Sequence, residues 1–205
     1  MKNYINLNGT KIKLTPEQVV EMQKSFGVNQ IALSTIKIGE TFKIGKFEFI
    51  VLEHSKETTA VILKELLYEN KQFGKSNNFE NSYVDDICNE FEITIGDIIG
   101  SDNLILHTVD LTADDGLKDY GTIQRKMSLL TTELYRRYVE ILDNYKVNKW
   151  WWLATALSTP KHDIKYGVKC VSPYGFIDHG RDYDCISGVR PFCILKSNIF
   201  VSYED

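Results

Sequence analysis

The side chains best suited to chemistry gather in the last third of the chain: His162, Cys170, His179, Cys185 and Cys193. Cysteine and histidine are the ligands zinc favours, but a zinc site needs pre-positioned pairs such as C-x-x-C or H-x(3–5)-H, and the sequence has none. Asp110, Asp114, Asp115 and Asp119 offer oxygen ligands within one stretch. Their spacing is not that of an EF-hand, and no glutamate stands at the twelfth position to bind calcium bidentately. Nucleophilic catalysis lacks its usual frame as well, because there is no G-x-S-x-G elbow. His162-Asp163 and Asp178-His179 are adjacent pairs, and neighbours in sequence seldom face one another, so a triad has to be assembled across loops. Gly188-Val189-Arg190-Pro191 has too few glycines to cradle a phosphate and no Lys-Ser/Thr behind them. The reading is a protein without a metal, a cofactor or a catalytic constellation.

Charge is the stronger signal. Between Glu80 and Asp119 the chain carries eleven acidic residues against one basic residue, Lys118, a local charge of −10 in a chain whose total is −4. Such a segment projects a negative field suited to meeting a basic partner. Asp85, Asp86, Glu90, Asp97, Asp110, Asp114, Asp115 and Asp119 are the expected partner-binding residues.

Periodicity supplies the elements that must position these groups. Ile5 and Leu7 alternate with polar residues, Asn8-Gly9 follows, and Ile12 and Leu14 alternate again, which predicts a hairpin. Thr15 then caps a helix that starts at Pro16, with Gln18 closing a capping box, Val19, Met22 and Phe26 on one face and Gly27 beyond its end. Residues 1–27 thus read as a small ββα unit, and 28–38 as its join to a main body over 39–205. That body opens with an antiparallel meander: Phe42–Ile44, Phe47–Glu53 and Thr59–Leu66. Residues 67–79 read as a surface loop, and Asn81-Ser82 as the start of a helix carrying Val84, Ile87, Cys88, Phe91 and Ile95. Leu104–Val109 is an expected strand, 110–120 an acidic loop, and 126–130 a further strand. Thr131 or Thr132 caps a second helix carrying Leu134, Tyr135, Tyr138 and Ile141. Four short strands follow, over 150–154, 166–171, 175–178 and 189–195. The class is α+β with a mostly antiparallel sheet.

The chain has 205 residues, 43% hydrophobic and 25% charged, close to ordinary globular usage and long enough to bury a core without disulfides or metals. That composition excludes a disordered chain, a collagen repeat and a coiled-coil rod. The net charge of −4 argues against a general nucleic-acid binder. Four cysteines are too few for a disulfide framework, so buried thiols in a reducing cytoplasm are expected. The start has no apolar run of signal-peptide length, and no stretch approaches the ~20 apolar residues that cross a bilayer.

Trp150-Trp151-Trp152 is the most unusual triplet. On a strand Trp151 faces opposite to Trp150 and Trp152, so burying one set leaves the other near the surface. An exposed tryptophan beside Tyr166, Tyr174 or Tyr183 would make a binding platform.

Trp151-Trp152-Leu153-Ala154-Thr155, Val168–Gly175 and Gly188-Val189-Arg190-Pro191-Phe192 resemble, in that order, the W-W-L-R-S/T, V-x-x-x-G and G-V-R-P segments of a family of uncharacterised bacterial and phage domains. Phe79-Glu80-Asn81-Ser82 resembles the family's W-E-N-S segment ahead of a helix, and Ser128–Tyr135 its L-L-S-x-x-E-x-x-x-Y segment. The likeness spans residues 39–196. It implies a C-type-lectin-like fold, shared with phage tropism determinants and formylglycine-generating enzymes. On that resemblance Trp151, Trp152, Gly188, Arg190 and Pro191 are structural, with Arg190 held by a buried acid or by loop carbonyls. Ala154 and Phe79 depart from the family's Arg and Trp. The cysteine pair of formylglycine-generating enzymes is not recognisable.

The functional expectation is a non-enzymatic binding module, encoded by a phage or mobile element and acting in the host cytoplasm. It would bind and inhibit a basic, nucleic-acid-binding host protein through its acidic surface, as in anti-CRISPR-type inhibition of a nuclease. The alternatives are a virion or tail adhesion module contacting a receptor through the lectin-like face, and an enzyme on a formylglycine-generating-enzyme-like scaffold.

Overall fold

The computed structural model describes residues 4–7, 10–25, 30–181 and 186–203. The chain runs through β1 (Tyr4–Leu7), β2 (Thr10–Lys13), α1 (Pro16–Ser25), β3 (Gln30–Ala32), β4 (Thr41–Ile44), β5 (Phe47–His54), β6 (Thr58–Leu63) and β7 (Tyr68–Lys71). It continues with α2 (Tyr83–Ile99), β8 (Leu104–Ile105), β9 (His107–Asp110), β10 (Thr122–Arg125), β11 (Met127–Ser128) and α3 (Thr132–Leu142). The last third holds β12 (Trp151–Ala156), β13 (Gly167–Val171), β14 (Ile177–Arg181), β15 (Ser187–Val189), β16 (Phe192–Lys196) and β17 (Phe200–Ser202).

β1 and β2 form the expected antiparallel hairpin, and α1 follows. The Thr15 amide donates to Gln18 Oε1 at 2.9 Å and the Gln18 amide to Thr15 Oγ1 at 3.3 Å, which is the capping box read from the sequence. The expectations placed on Asn8-Gly9, Phe26, Gly27, Tyr183 and Cys185 lie outside the described residues.

Two larger sheets build the body. One runs in the order β11-β16-β6-β5-β4-β17-β3, with β8 also pairing β16; the other runs β14-β13-β12-β15-β7. All pairings among the described residues are antiparallel except β12 with β15. The architecture is α+β and mostly antiparallel. Helix α2 covers one side with Val84, Cys88, Phe91 and Ile95, in a core shared with Phe49, Val51, Val61 and Trp152. Helix α3 covers the other side with Tyr135, Tyr138 and Leu142, in a core shared with Ile50, Leu52, Ile62 and Trp151.

Strands with both faces covered bury every side chain along a run, so their sequences stop alternating. Ile50, Val51 and Leu52 show this on β5, and all six residues of β12 are buried. Trp151 and Trp152 therefore point into different cores, and Trp150, just ahead of β12, is the member left partly exposed. The Trp152 indole donates to the Lys71 carbonyl at 2.8 Å.

Several boundaries differ from the sequence reading. Residues 30–36, read as a join, add β3 to the sheet edge and bury Leu33 and Ile36. The 67–79 stretch, read as a surface loop, contains β7 and buries Phe73, Asn77 and Phe79. Its Asn77 amide group donates to the carbonyls of Ser158 and Gly167, and the Tyr120 hydroxyl donates to its oxygen at 2.6 Å. Polar composition hid a segment whose polar groups are internally satisfied. The expected strand 189–195 is two strands on two sheets, split where Pro191 cannot donate to a ladder. β10 and β17 were not anticipated, being too short for a periodic signal.

The five motif residues hold that split in place. Gly188 pairs with Trp151, and a β-carbon there would collide with Leu66. The Arg190 guanidinium donates to the carbonyls of Leu63 at 2.9 Å, Lys64 at 2.7 Å and Tyr145 at 3.1 Å. It also lies over the Trp151 ring at 5.3 Å. Loop carbonyls, rather than a buried acid, hold Arg190.

Candidate functional site

Helix α2 is amphipathic by construction. Ser82 caps it by accepting from the Asp85 amide, and Gly100, at φ 87°, ends it. With Val84, Cys88, Phe91 and Ile95 turned into the core, the 3.6-residue period places Tyr83, Asp86, Glu90, Ile93 and Asp97 along one opposite stripe. Asp86, Glu90 and Asp97 are exposed, and among the described residues their carboxylates have no ion pair or hydrogen bond. Between and beside them stand Tyr83, Ile98 and Ile93, the last 65% exposed. An open groove of about 620 Å³ runs alongside, between the β4–β5 turn at Lys46 and Phe47, β7 at Tyr68, and α2 at Ile87 and Phe91.

Among the other expected partner-binding residues Asp85 is buried in an ion pair, whereas Asp110, Asp114, Asp115 and Asp119 stay exposed but also have partners within the protein. Asp85 is only 1% exposed and takes two hydrogen bonds from Arg125, at 2.9 and 2.8 Å, plus one from the Asn81 amide at 3.0 Å. Those bonds push the Arg125 pKa up. One residue along a helix turns the side chain by a quarter to a third of a circle, which is why Asp85 faces inward while Asp86 faces out. Asp110 accepts from the amide and hydroxyl of Thr112, which lowers its pKa. Asp114 pairs with Lys169 at 3.2 Å and with Arg136 at 3.9 Å. Asp119 accepts from the Thr159 hydroxyl at 3.0 Å. The 110–120 loop thus spends its carboxylates on its own docking, and basic residues from distant elements neutralise part of the acidic segment. Of the eight residues named from the sequence, Asp85, Asp110, Asp114, Asp115 and Asp119 are engaged internally, leaving Asp86, Glu90 and Asp97.

Asp115 meets two unexpected partners. Ser158 Oγ donates to its Oδ2 at 2.5 Å, His162 Nδ1 lies 3.0 Å from the same oxygen, and the Ser158 hydrogen bond leads in lowering the Asp115 pKa. The three residue types of a hydrolytic triad are therefore assembled across loops. In a working triad the serine donates to the imidazole; here it donates to the carboxylate, and Ser158 is buried. Ser158 Oγ also lies 3.5 Å from His162 Nδ1, the same ring nitrogen that meets Asp115, so the three groups tie the 110–120 loop to the segment after β12 without the in-line order of a triad.

His179 is half-exposed with its Nδ1 3.4 Å from Oδ1 of the adjacent Asp178, whereas the described thiols are muted by burial. Cys88, Cys170 and Cys193 sit inside the core, and desolvation raises the thiol pKa values of Cys88 and Cys193. Among the described residues no group of three or more His, Cys, Asp or Glu converges on a metal position. His107 is held with Nε2 2.9 Å from Ser128 Oγ, and burial lowers its pKa to about 4. Because the folded value lies below the ordinary 6.5, the native state resists protonation. His107 therefore costs no stability above pH 6.5 and about 3 kcal/mol as the pH falls to 4. Urea titrations at pH 7.5 and pH 4 should show that loss, and His107→Gln should remove most of it.

At the other end of the β12–β14 sheet the aromatic platform takes a form different from any single tyrosine partner. Trp150 meets Phe176 edge-on at 5.6 Å between ring centroids, and Tyr174, 81% exposed, stands on the same β13–β14 hairpin. The Ser172 hydroxyl accepts from the amides of Tyr174 and Phe176, and the Tyr135 hydroxyl donates to the Gly175 carbonyl. Tyr166 lies at the opposite end of β13.

Comparison with known proteins finds no matching family model, no matching curated protein and no matching solved structure. No helix among the described residues is long and apolar enough to cross a membrane.

Sequence reasoning found α2 and its outward acids. It missed the groove, whose walls come from three separated segments, and it missed Tyr83, Ile93 and Ile98 as exposed anchors. The signal was available: apolar residues off the Val84–Ile95 stripe of a capped helix have no core to enter.

Proposed function

We propose that this protein is a non-enzymatic binding module that holds a basic protein partner against the outer face of α2. The observation that carries this reading is the stripe itself: three carboxylates with no ion pair or hydrogen bond among the described residues, sharing their face with exposed Tyr83 and Ile93, while exposed Ile98 borders the adjoining groove. Charged groups left unpaired along a capped helix steer an oppositely charged surface, and apolar anchors between them supply contact energy that charge alone does not. The partner's chemistry is a surface rich in Lys and Arg, as on a host nucleic-acid-binding protein. Carboxylates seated on such a surface occupy positions that otherwise hold phosphates, which makes inhibition in the host cytoplasm the natural consequence. A C-type-lectin-like scaffold of the bacterial and phage family resembled by the Trp and G-V-R-P segments fits this role, with the motif residues serving the core.

The test is capture of the partner from a bacterial lysate, then its purification and titration with the wild-type chain and with Asp86→Lys/Glu90→Lys/Asp97→Lys. The triple variant should bind at least about tenfold more weakly, with wild-type affinity falling as salt rises from 50 to 300 mM and melting temperatures unchanged. Equal binding by the two proteins sinks the proposal.

A second reading, adhesion to a receptor, is favoured by the rigid Trp150–Phe176 hairpin surface. Trp150→Ala/Phe176→Ala separates the two, since it should leave partner binding on α2 intact.

A further inference from the structure

A cavity of about 300 Å³ opens on the α3 side of the large sheet, walled by β5, β6, β9, β16 and α3 and distinct from the α2 groove. Its floor is apolar, formed by Ala60, Phe192 and Ile194. Its rim carries opposite charges, Glu53 and Arg137, that both meet the Tyr138 phenol. The Tyr138 hydroxyl donates to Glu53 Oε2 at 2.6 Å, and Glu53 Oε1 has no hydrogen bond among the described residues. Burial and Glu53 push the Tyr138 pKa up to about 12, so the phenol stays protonated, while the nearby Arg137 guanidinium opposes that rise. Glu53 and Arg137 both border Tyr138 with no ion pair between them among the described residues, and the exposed Arg137 guanidinium also meets Glu133 at 3.5 Å. The wall holds a further polar residue: His107, 9% exposed, stands edge-on to Phe192, with Ser128 and the Ile105 backbone as its polar neighbours.

We propose that this cavity binds a free α-amino acid with an apolar side chain. A carboxylate and a guanidinium that both meet one phenol at the mouth of the cavity, with no ion pair between them among the described residues, match a ligand that carries an ammonium and a carboxylate on one carbon. Glu53 receives the ammonium, Arg137 the carboxylate, and the apolar side chain lies on Ala60, Phe192 and Ile194. A lone anion is repelled by Glu53 and a lone cation by Arg137, so the rim selects the zwitterion over either charged half. The volume is at the small end of ligand sites, which suits one amino acid and excludes a dinucleotide.

Equilibrium dialysis of the full chain against L-leucine and L-phenylalanine, with 4-methylpentanoate and 3-methylbutylamine as half-ligands, tests this. The amino acids should bind at a single site, and each half-ligand at least about tenfold more weakly. Glu53→Gln keeps an acceptor for Tyr138, and Arg137→Gln lies on the surface, so both should fold with unchanged melting temperatures and lose about tenfold in amino-acid affinity. The inference is overturned if neither amino acid is retained at 10 mM, if a half-ligand binds as well as its parent, or if both variants bind like the wild type.

Discussion

Arg190→Ala lowers the free energy of unfolding by about 3–5 kcal/mol, read as a shift in the urea midpoint. The guanidinium is 1% exposed and bridges Leu63, Lys64 and Tyr145 through their carbonyls. Truncation leaves those acceptors to find water or go unpaired, and opens a void beside Trp151. Burial lowers the Arg190 pKa to about 10, still well above neutral, so the group remains charged while it does this work. Arg190→Lys keeps a charge but loses the planar fork that reaches three carbonyls at once, and should recover only part of the loss. An Arg190→Ala protein with the wild-type midpoint would show that the G-V-R-P segment is not structural.

The second large effect is at Asp85. Asp85→Ala should cost about 3–5 kcal/mol, because it strands the Arg125 guanidinium half inside the protein and frees the Asn81 amide. Asp86→Ala, one residue away on the exposed side, should stay within about 0.5 kcal/mol. Pairing Asp85→Ala with Arg125→Met should restore much of the lost stability, since a neutral pair carries no uncompensated charge. If Asp85→Ala and Asp86→Ala prove equally harmless in urea denaturation, the Arg125 pair is not holding the start of α2. The contrast also fixes how the α2 face must be probed: charge reversal at Asp85 tests folding, and only Asp86, Glu90 and Asp97 test recognition.

Much of the architecture is legible in single segments. Thr15-Pro16-Glu17-Gln18 and Ser82 announce helices because a cap is a local hydrogen bond between residues three apart. The β4–β6 meander is readable because its strands are consecutive and turn at Gly45-Lys46. β17 and the buried part of 67–79 are not, since each is defined by partners far away: Phe200 by Ala32, Asn77 by Ser158 and Gly167. The candidate site divides along the same line. α2 and its acids follow from helix period, whereas the fate of each carboxylate depends on which cation or hydroxyl folds against it.

From the order of its residues alone, this chain settles its class, its helix starts and the alternation of Trp151 and Trp152, all consequences of backbone geometry acting over a few residues. Only the tertiary structure decides that both tryptophans are buried, that Arg190 rests on carbonyls, and that Asp86, Glu90 and Asp97 on α2 have no partner among the described residues. Local charge is a sum over sequence, while a protein's field is a sum over space, and folding brings Arg125, Arg136 and Lys169 to acids from which the sequence separates them.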